Sequence, residues 1–186
     1  TVSFNNLLPN IEYTIKGKIV EKVIATDEEG NAITDEEGNP TYIEVDTGIT
    51  AEDTFTPNTE DYEGNVVVDG EKITVNGTKD ITFKFDSTKY AGKTFVVYEE
   101  LYLTTIKKNE DDTETEELVK IADHTELTDK KQTIHIAEIS TSATDGDNKD
   151  NVAELREHIT LDDVVSYNNV IAGEYYQARG ILMDRT

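Results

Sequence analysis

SFNNLLPNIEYTIKGKIVEK, Ser3 to Lys22, sets the reading of the whole chain because a similar stretch recurs near the other end. There the chain runs SYNNVIAGEYYQARGILMDR, Ser166 to Arg185. The two align without a gap at an offset of 163 residues, matching Asn5 with Asn168, Asn6 with Asn169, Tyr13 with Tyr176 and Gly17 with Gly180. Self-similarity at domain length indicates tandem modules. The expected organisation is a complete module over residues 1–140, a linker over 141–160 and the first hairpin of a following repeat over 161–186. A lone hairpin exposes an apolar face, so it is expected to pack on this module or on a neighbouring molecule.

Outward from that stretch the pattern is strand after strand. Glu12 to Ile24 alternates apolar and polar residues, and similar runs cover Thr41 to Val45, Asn65 to Val68, Lys72 to Val75, Ile81 to Phe85, Thr94 to Thr105, Leu118 to Ile121 and Thr133 to Ile139. Turn chemistry separates them. Thr26 to Pro40 contains TDEEGN twice, which reads as an exposed β-excursion. Thr141 to Asn151, TSATDGDNKDN, is polar and opens the expected linker, and Val152 to Ile159 fits a short helix or an extended strand. Short strands with Gly, Asn and Asp turns predict an all-β chain, a sandwich of Greek-key type with barrel closure as the alternative.

The 186 residues suffice for one sandwich and a tail, or for two small domains, and one core is the simpler expectation. Forty acidic against 17 basic residues give a net charge of -23. Such a field repels phosphate backbones and anionic headgroups, so neither nucleic acid nor a membrane is expected as a partner. There is no cysteine, hence no disulfide, thiolate metal site or cysteine nucleophile. No apolar run reaches membrane-spanning length, and no signal peptide or anchor signal is read, so the chain is expected to be an excised segment.

The window HTELTDKKQ, His124 to Gln132, places an imidazole, the Asp129 carboxylate and the Gln132 carboxamide just before the strand TIHI. Upstream, VVYE, Val96 to Glu99, ends in an acid within an apolar strand, and Thr1 precedes VSF. With the opening TVSFNNLLPNIEYTIKG, the later AGKTFVVYEELY and the following ISTSATDGD, these motifs cover almost all of residues 1–145. In order and spacing the chain resembles the T-Q ester-bond domain, the VaFE repeat of Gram-positive cell-surface adhesins. The resemblance implies an immunoglobulin-like β-sandwich with a self-formed internal ester between Thr1 and Gln132, assisted by His124, Asp129 and Glu99. It further implies a cell-wall-attached extracellular stalk whose partners are neighbouring modules and, through other domains, a host protein or glycan. Such a module is not an enzyme in the turnover sense, and no cofactor or metal is expected.

The chemistry asks for those residue types. A threonine hydroxyl is a weak nucleophile and a primary amide a poor electrophile. Neutral His124 suits a general base and later proton donor. A protonated carboxyl, Glu99 or Asp129, can polarise the amide carbonyl, and burial of two neighbouring acids favours that protonation. Which acid orients the imidazole and which faces the amide is left open by the sequence. Glu100 is the weaker candidate because alternation puts it on the other face.

Two rivals come from other classes. A lysine-asparagine isopeptide would use Lys16 or Lys18. A calcium-dependent ligand-binding adhesin domain would use DGDNKDN, Asp145 to Asn151, or the DEEGN turns, although neither has the ligand pattern of an EF-hand loop. His135 reads as structural, and the Asn76-Gly77-Thr78 sequon as a turn. At the repeat position of Thr1 stands Val164, which has no hydroxyl, so the following module is expected to lack this bond; Thr14 lies too far along to replace Thr1.

Overall fold

The computed structural model describes residues 1–183. Its strands are β1 (Val2–Leu7), β2 (Tyr13–Ile24), β3 (Tyr42–Phe55), β4 (Val66–Asp69), β5 (Lys72–Lys79), β6 (Thr94–Lys108), β7 (Glu114–His124), β8 (Thr133–His135), β9 (Glu138–Asp145) and β10 (Leu161–Asn168). One short 3-10 turn, Ser87–Tyr90, precedes β6. The large sheet has the order β3-β2-β6-β7, with β8 pairing to β6 beyond the end of β7; β1-β5-β4 form a second sheet, and β9 with β10 a third. All these pairings are antiparallel. The protein is an all-β sandwich, as the strand pattern predicts.

Alternation along β2 explains how the layers meet. Tyr13, Ile15 and Ile19 are buried on one face, whereas Lys16 and Lys18 stand on the other over the rings of Tyr102 and Tyr98. The buried face closes against the small sheet through Phe4, Leu7, Tyr13 and Val75, with Phe55, Leu101 and Leu103 packed around them. Phe4 lies with its ring centroid 5.4 Å from both Phe55 and Tyr62, spacings at which aromatic pairs add to area burial. On the opposite face Val20, Val96 and Tyr98 are buried under Leu127. The loop after β7 therefore wraps round the edge of the large sheet.

Several elements differ from the sequence reading. Strands β3 and β7 are far longer than expected, because both are edge strands rich in Thr, Asp and Glu, and β7 is exposed at every residue. Charged edges guard against pairing with other chains and at the same time hide the apolar signal. Ile81 to Phe85, expected as a strand, pairs with nothing; instead Ile81 and Phe83 roof Gly17 of β2. The run Thr133 to Ile139 breaks into β8 and the start of β9. Thr141 to Asp145, expected to open the linker, continues β9 and pairs in unbroken register with β10, from Glu138 with Asn168 to Asp145 with Leu161. Val152 to Ile159 forms neither helix nor strand. The strand partner of β10 is thus β9, which precedes it, and residues 169–183 add no further strand. The last three residues of the expected hairpin, 184–186, lie outside the described residues.

Gly17 faces Glu99 across the β2 and β6 ladder. A Cβ built on it would lie 2.4 Å from the Phe83 ring and 3.1 Å from Ile81. The absence of a side chain here lets the roof sit close over the sheet. Gly17→Ala is expected to lift Phe83 and cost about 1–3 kcal/mol through overpacking, read as a lower urea midpoint with an unchanged m-value.

Candidate functional site

Beside that roof, Thr1, Glu99, His124, Asp129 and Gln132 line one cleft of about 510 Å³, together with Val97, Ile81 and Phe83. They come from four parts of the chain, and strand register explains the convergence. Glu99 and His124 are direct partners between β6 and β7. Two residues earlier on β6, the Val97 amide donates to the Gln132 carbonyl at 3.1 Å, so Gln132 enters where β8 takes over from β7 beside β6. Glu100 points away and accepts from Tyr102 at 2.7 Å and Lys120 at 3.2 Å.

The loop from β7 to β8 is folded on itself. Asp129 N donates to Glu126 O at 3.2 Å, Gln132 N to Asp129 O at 3.3 Å, and Thr133 Oγ1 to Asp129 O at 2.7 Å. This brings the Asp129 carboxylate back onto His124, with Nε2 2.9 Å from Oδ2. A proton on Nε2 is held by Asp129, and Nδ1 is then the basic nitrogen. Gln132 Nε2 meanwhile donates to Glu99 Oε2. The two acids left interchangeable by sequence are therefore divided by geometry: Asp129 holds the imidazole and Glu99 the amide.

Burial pushes the Glu99 carboxyl above its ordinary value of 4.5, against the lowering pulls of His124 and the Gln132 hydrogen bond. The Gln132 Oε1 atom is buried without a hydrogen-bond partner. An orphaned acceptor beside a carboxyl whose proton affinity is raised by burial is a meaningful pair. Oxygen and nitrogen of a carboxamide are exchanged by a half-turn of the group, after which a protonated Glu99 donates to Oε1 and withdraws charge from the carbonyl carbon.

Thr1 lies in the cleft but gives its hydroxyl hydrogen bond to Asp80. To reach the Gln132 carbonyl carbon the hydroxyl must turn away from Asp80. Nothing in the sequence pointed to Asp80, which stands in a stretch read as turn and meets Thr1 only because β1 and β5 pair, Val2 opposite Lys79. Lys16 and Lys18 lie on the opposite face from the cleft and pair with Glu52 and Glu44. In the acidic turn after β9, the Arg156 guanidinium pairs with Asp147 and lies 3.6 Å from Asp145. Among the described residues no group of three or more His, Cys, Asp or Glu side chains is arranged to hold a metal ion.

A β-sandwich in which a hydroxyl, an acid-held imidazole and an acid-held carboxamide share one cleft has the composition of a self-cross-linking module. The family described as the T-Q ester bond containing domain matches residues 1–136 and again residues 137–186, and the chain belongs to it. Domains of this family carry an ester cross-link and occur in extracellular surface proteins. No curated protein and no solved structure matches the chain.

Because the folded state holds the Glu99 proton more tightly than the unfolded chain, stability from this group is present below 4.5 and is lost as pH rises through the higher folded value. In a Thr1→Ala background, adding Glu99→Gln should remove that component. Urea midpoints measured from pH 4 to pH 7 should then fall less steeply, or rise more steeply, in the double variant.

Proposed function

We propose that Thr1 and Gln132 form an ester once per molecule, and that the module is a stalk unit of a cell-wall-attached Gram-positive adhesin. Thr1 Oγ1 attacks Gln132 Cδ while His124 takes the hydroxyl proton. The carbonyl oxygen, turned toward Glu99, gathers negative charge against a donated proton. Collapse of the tetrahedral centre breaks the Cδ–Nε2 bond, His124 returns its proton, and the nitrogen leaves as ammonia. The Oγ1–Cδ ester remains, with no change in oxidation state and no cofactor. Because nothing turns over, the module is not an enzyme.

The observation that carries this reading is the half-buried Gln132 amide, its nitrogen bonded to Glu99 and its buried oxygen without a partner, in a cleft that also holds Thr1 and the His124 and Asp129 pair. Folding supplies proximity, and positioned groups of this kind can gain many powers of ten in effective concentration. The ester would close a loop running from β1 to the start of β8. A pull on the ends then loads a covalent bond, and the unfolded chain is constrained as by a disulfide closing a long loop. Mechanical and proteolytic resistance is the proposed function. Residues 161–186 are read as the start of a following repeat, with Val164 in the place of Thr1; they lie inside the second family match, over residues 137–186.

Intact mass decides the matter. The folded protein should weigh one ammonia less than its sequence, and Thr1→Ala or Gln132→Ala should restore the full mass. His124→Ala, Asp129→Ala and Glu99→Ala should fold and remain at full mass. Full mass in the wild-type protein would overturn the proposal. Circular dichroism on the same samples separates a chemical defect from unfolding.

A further inference from the structure

Asn169, the residue after β10, is the most completely bonded carboxamide among the described residues. Its Nδ2 donates to Lys93 O at 2.6 Å and to Ile136 O at 3.2 Å. Its Oδ1 accepts from Thr94 Oγ1 at 3.0 Å and lies 3.0 Å from His135 Nδ1. Two donor hydrogens and two acceptor lone pairs are all an asparagine side chain has; both donors and one lone pair are used, and the second lone pair is filled when His135 Nδ1 carries its proton. The two carbonyls belong to backbone pairs that end the β6 and β8 ladder, Ile136 N to Lys93 O and Gly92 N to Ile136 O, each 2.9 Å. Asn169 thus caps the end of that ladder from a strand lying in the second family match.

The same conformation stands at the other end of the chain. Asn6, the repeat partner of Asn169, has φ 61° against 56° for Asn169, and four residues on Asn10 and Gly173 are both in the left-handed region at 62° and 91°. Each copy then closes with the same bond, Leu8 N to Tyr13 Oη and Ile171 N to Tyr176 Oη, both 3.0 Å. The left-handed asparagine is therefore a built feature of the repeat, since non-glycine residues adopt that backbone at a cost. In the first copy, however, the Asn6 side chain is exposed, and its residue's contact with the small sheet runs through the backbone, Asn6 N to Asn76 Oδ1 at 2.8 Å.

We propose that this asparagine is the latch of a module-to-module joint: Asn169 plugs the β6 and β8 end of the module before it, and Asn6 presents the same plug to the equivalent carbonyl pair of another copy. The inference rests on the tandem reading given above. The joint lies just beyond Gln132, where the proposed ester no longer protects the chain. Only three residues of β8 pair with β6 there, so a plug bonded to both strands opposes their separation at the point where load leaves the cross-linked loop.

The test uses the full chain with nitrogen-15 relaxation and amide hydrogen exchange. Asn169→Asp keeps the size and the tolerance of left-handed backbone but turns an acceptor toward two carbonyls, and Asn169→Gly keeps the backbone freedom without the side chain. Both should let β9 and β10 tumble independently of residues 1–136 and lower protection of the Gly92 and Ile136 amides by about tenfold or more. Unchanged tumbling and protection in Asn169→Asp would overturn the latch. A chain in which residues 164–186 are replaced by a second copy of residues 1–23 puts Asn6 at the joint. It should match wild-type protection, and loss of protection there would overturn the Asn6 half. Intact mass on the same samples keeps the readings apart. Latch variants should retain the ammonia deficit, whereas a wild-type protein without the deficit but with a rigid joint would refute the ester and leave the latch standing.

Discussion

The arrangement depends on keeping a carboxyl group partly out of water beside a carboxamide. Glu99 lies on the inward face of β6, in line with Leu101 and Leu103 of the core, where a charge is costly. It is tolerated because Gln132 bonds it, His124 stands opposite it and Gly17 leaves room for a close roof. Remove the roof and water would reach both the acid and the amide. The same groups that make this position bearable for a carboxyl are those through which the proposed chemistry runs.

The second constraint is the folded loop from β7 to β8. Leu127 buries itself against Val20, Val96 and Tyr98 on the outer face, while the two ends of the loop return to the inner face as His124 and Gln132. A loop tied to both faces loses little further freedom when its side chains meet. That is how the sandwich supplies orientation to groups that are not adjacent in sequence.

Much of this was legible in the chain itself. Alternation located β2 and β6 closely, since each has one buried face and one wet face, and the residue types in His124 to Gln132 named the cleft. Edge strands were read short because β7 has no buried residue to set a period. Ile81 to Phe85 differs for the opposite reason: its apolar residues suggest a strand, but they cover a glycine and do not pair in a sheet. Thr141 to Asp145 looked like linker because its small polar residues pair along a solvated ribbon. The division of labour between Asp129 and Glu99 depends on a loop folding back, and the Asp80 contact on a pairing between distant strands. Neither has a local signature.

The duplicated TDEEGN segment has a consequence for how such a chain can change in length. Asp27 with Asn31 and Asp35 with Asn39 make the same side-chain and backbone bonds, Asn31 N to Asp27 Oδ1 and Asn39 N to Asp35 Oδ1 at 2.9 Å each. The units stack, with Ile33 N bonded to Ala25 O and Thr41 N to Ile33 O, both 2.8 Å. Each turn closes on itself with the same bonds eight residues on, and both lie outside the paired span of β2 and β3, which ends at Ile24 opposite Tyr42. A change in the number of such units would alter the outline of the module without touching the β2 and β3 ladder.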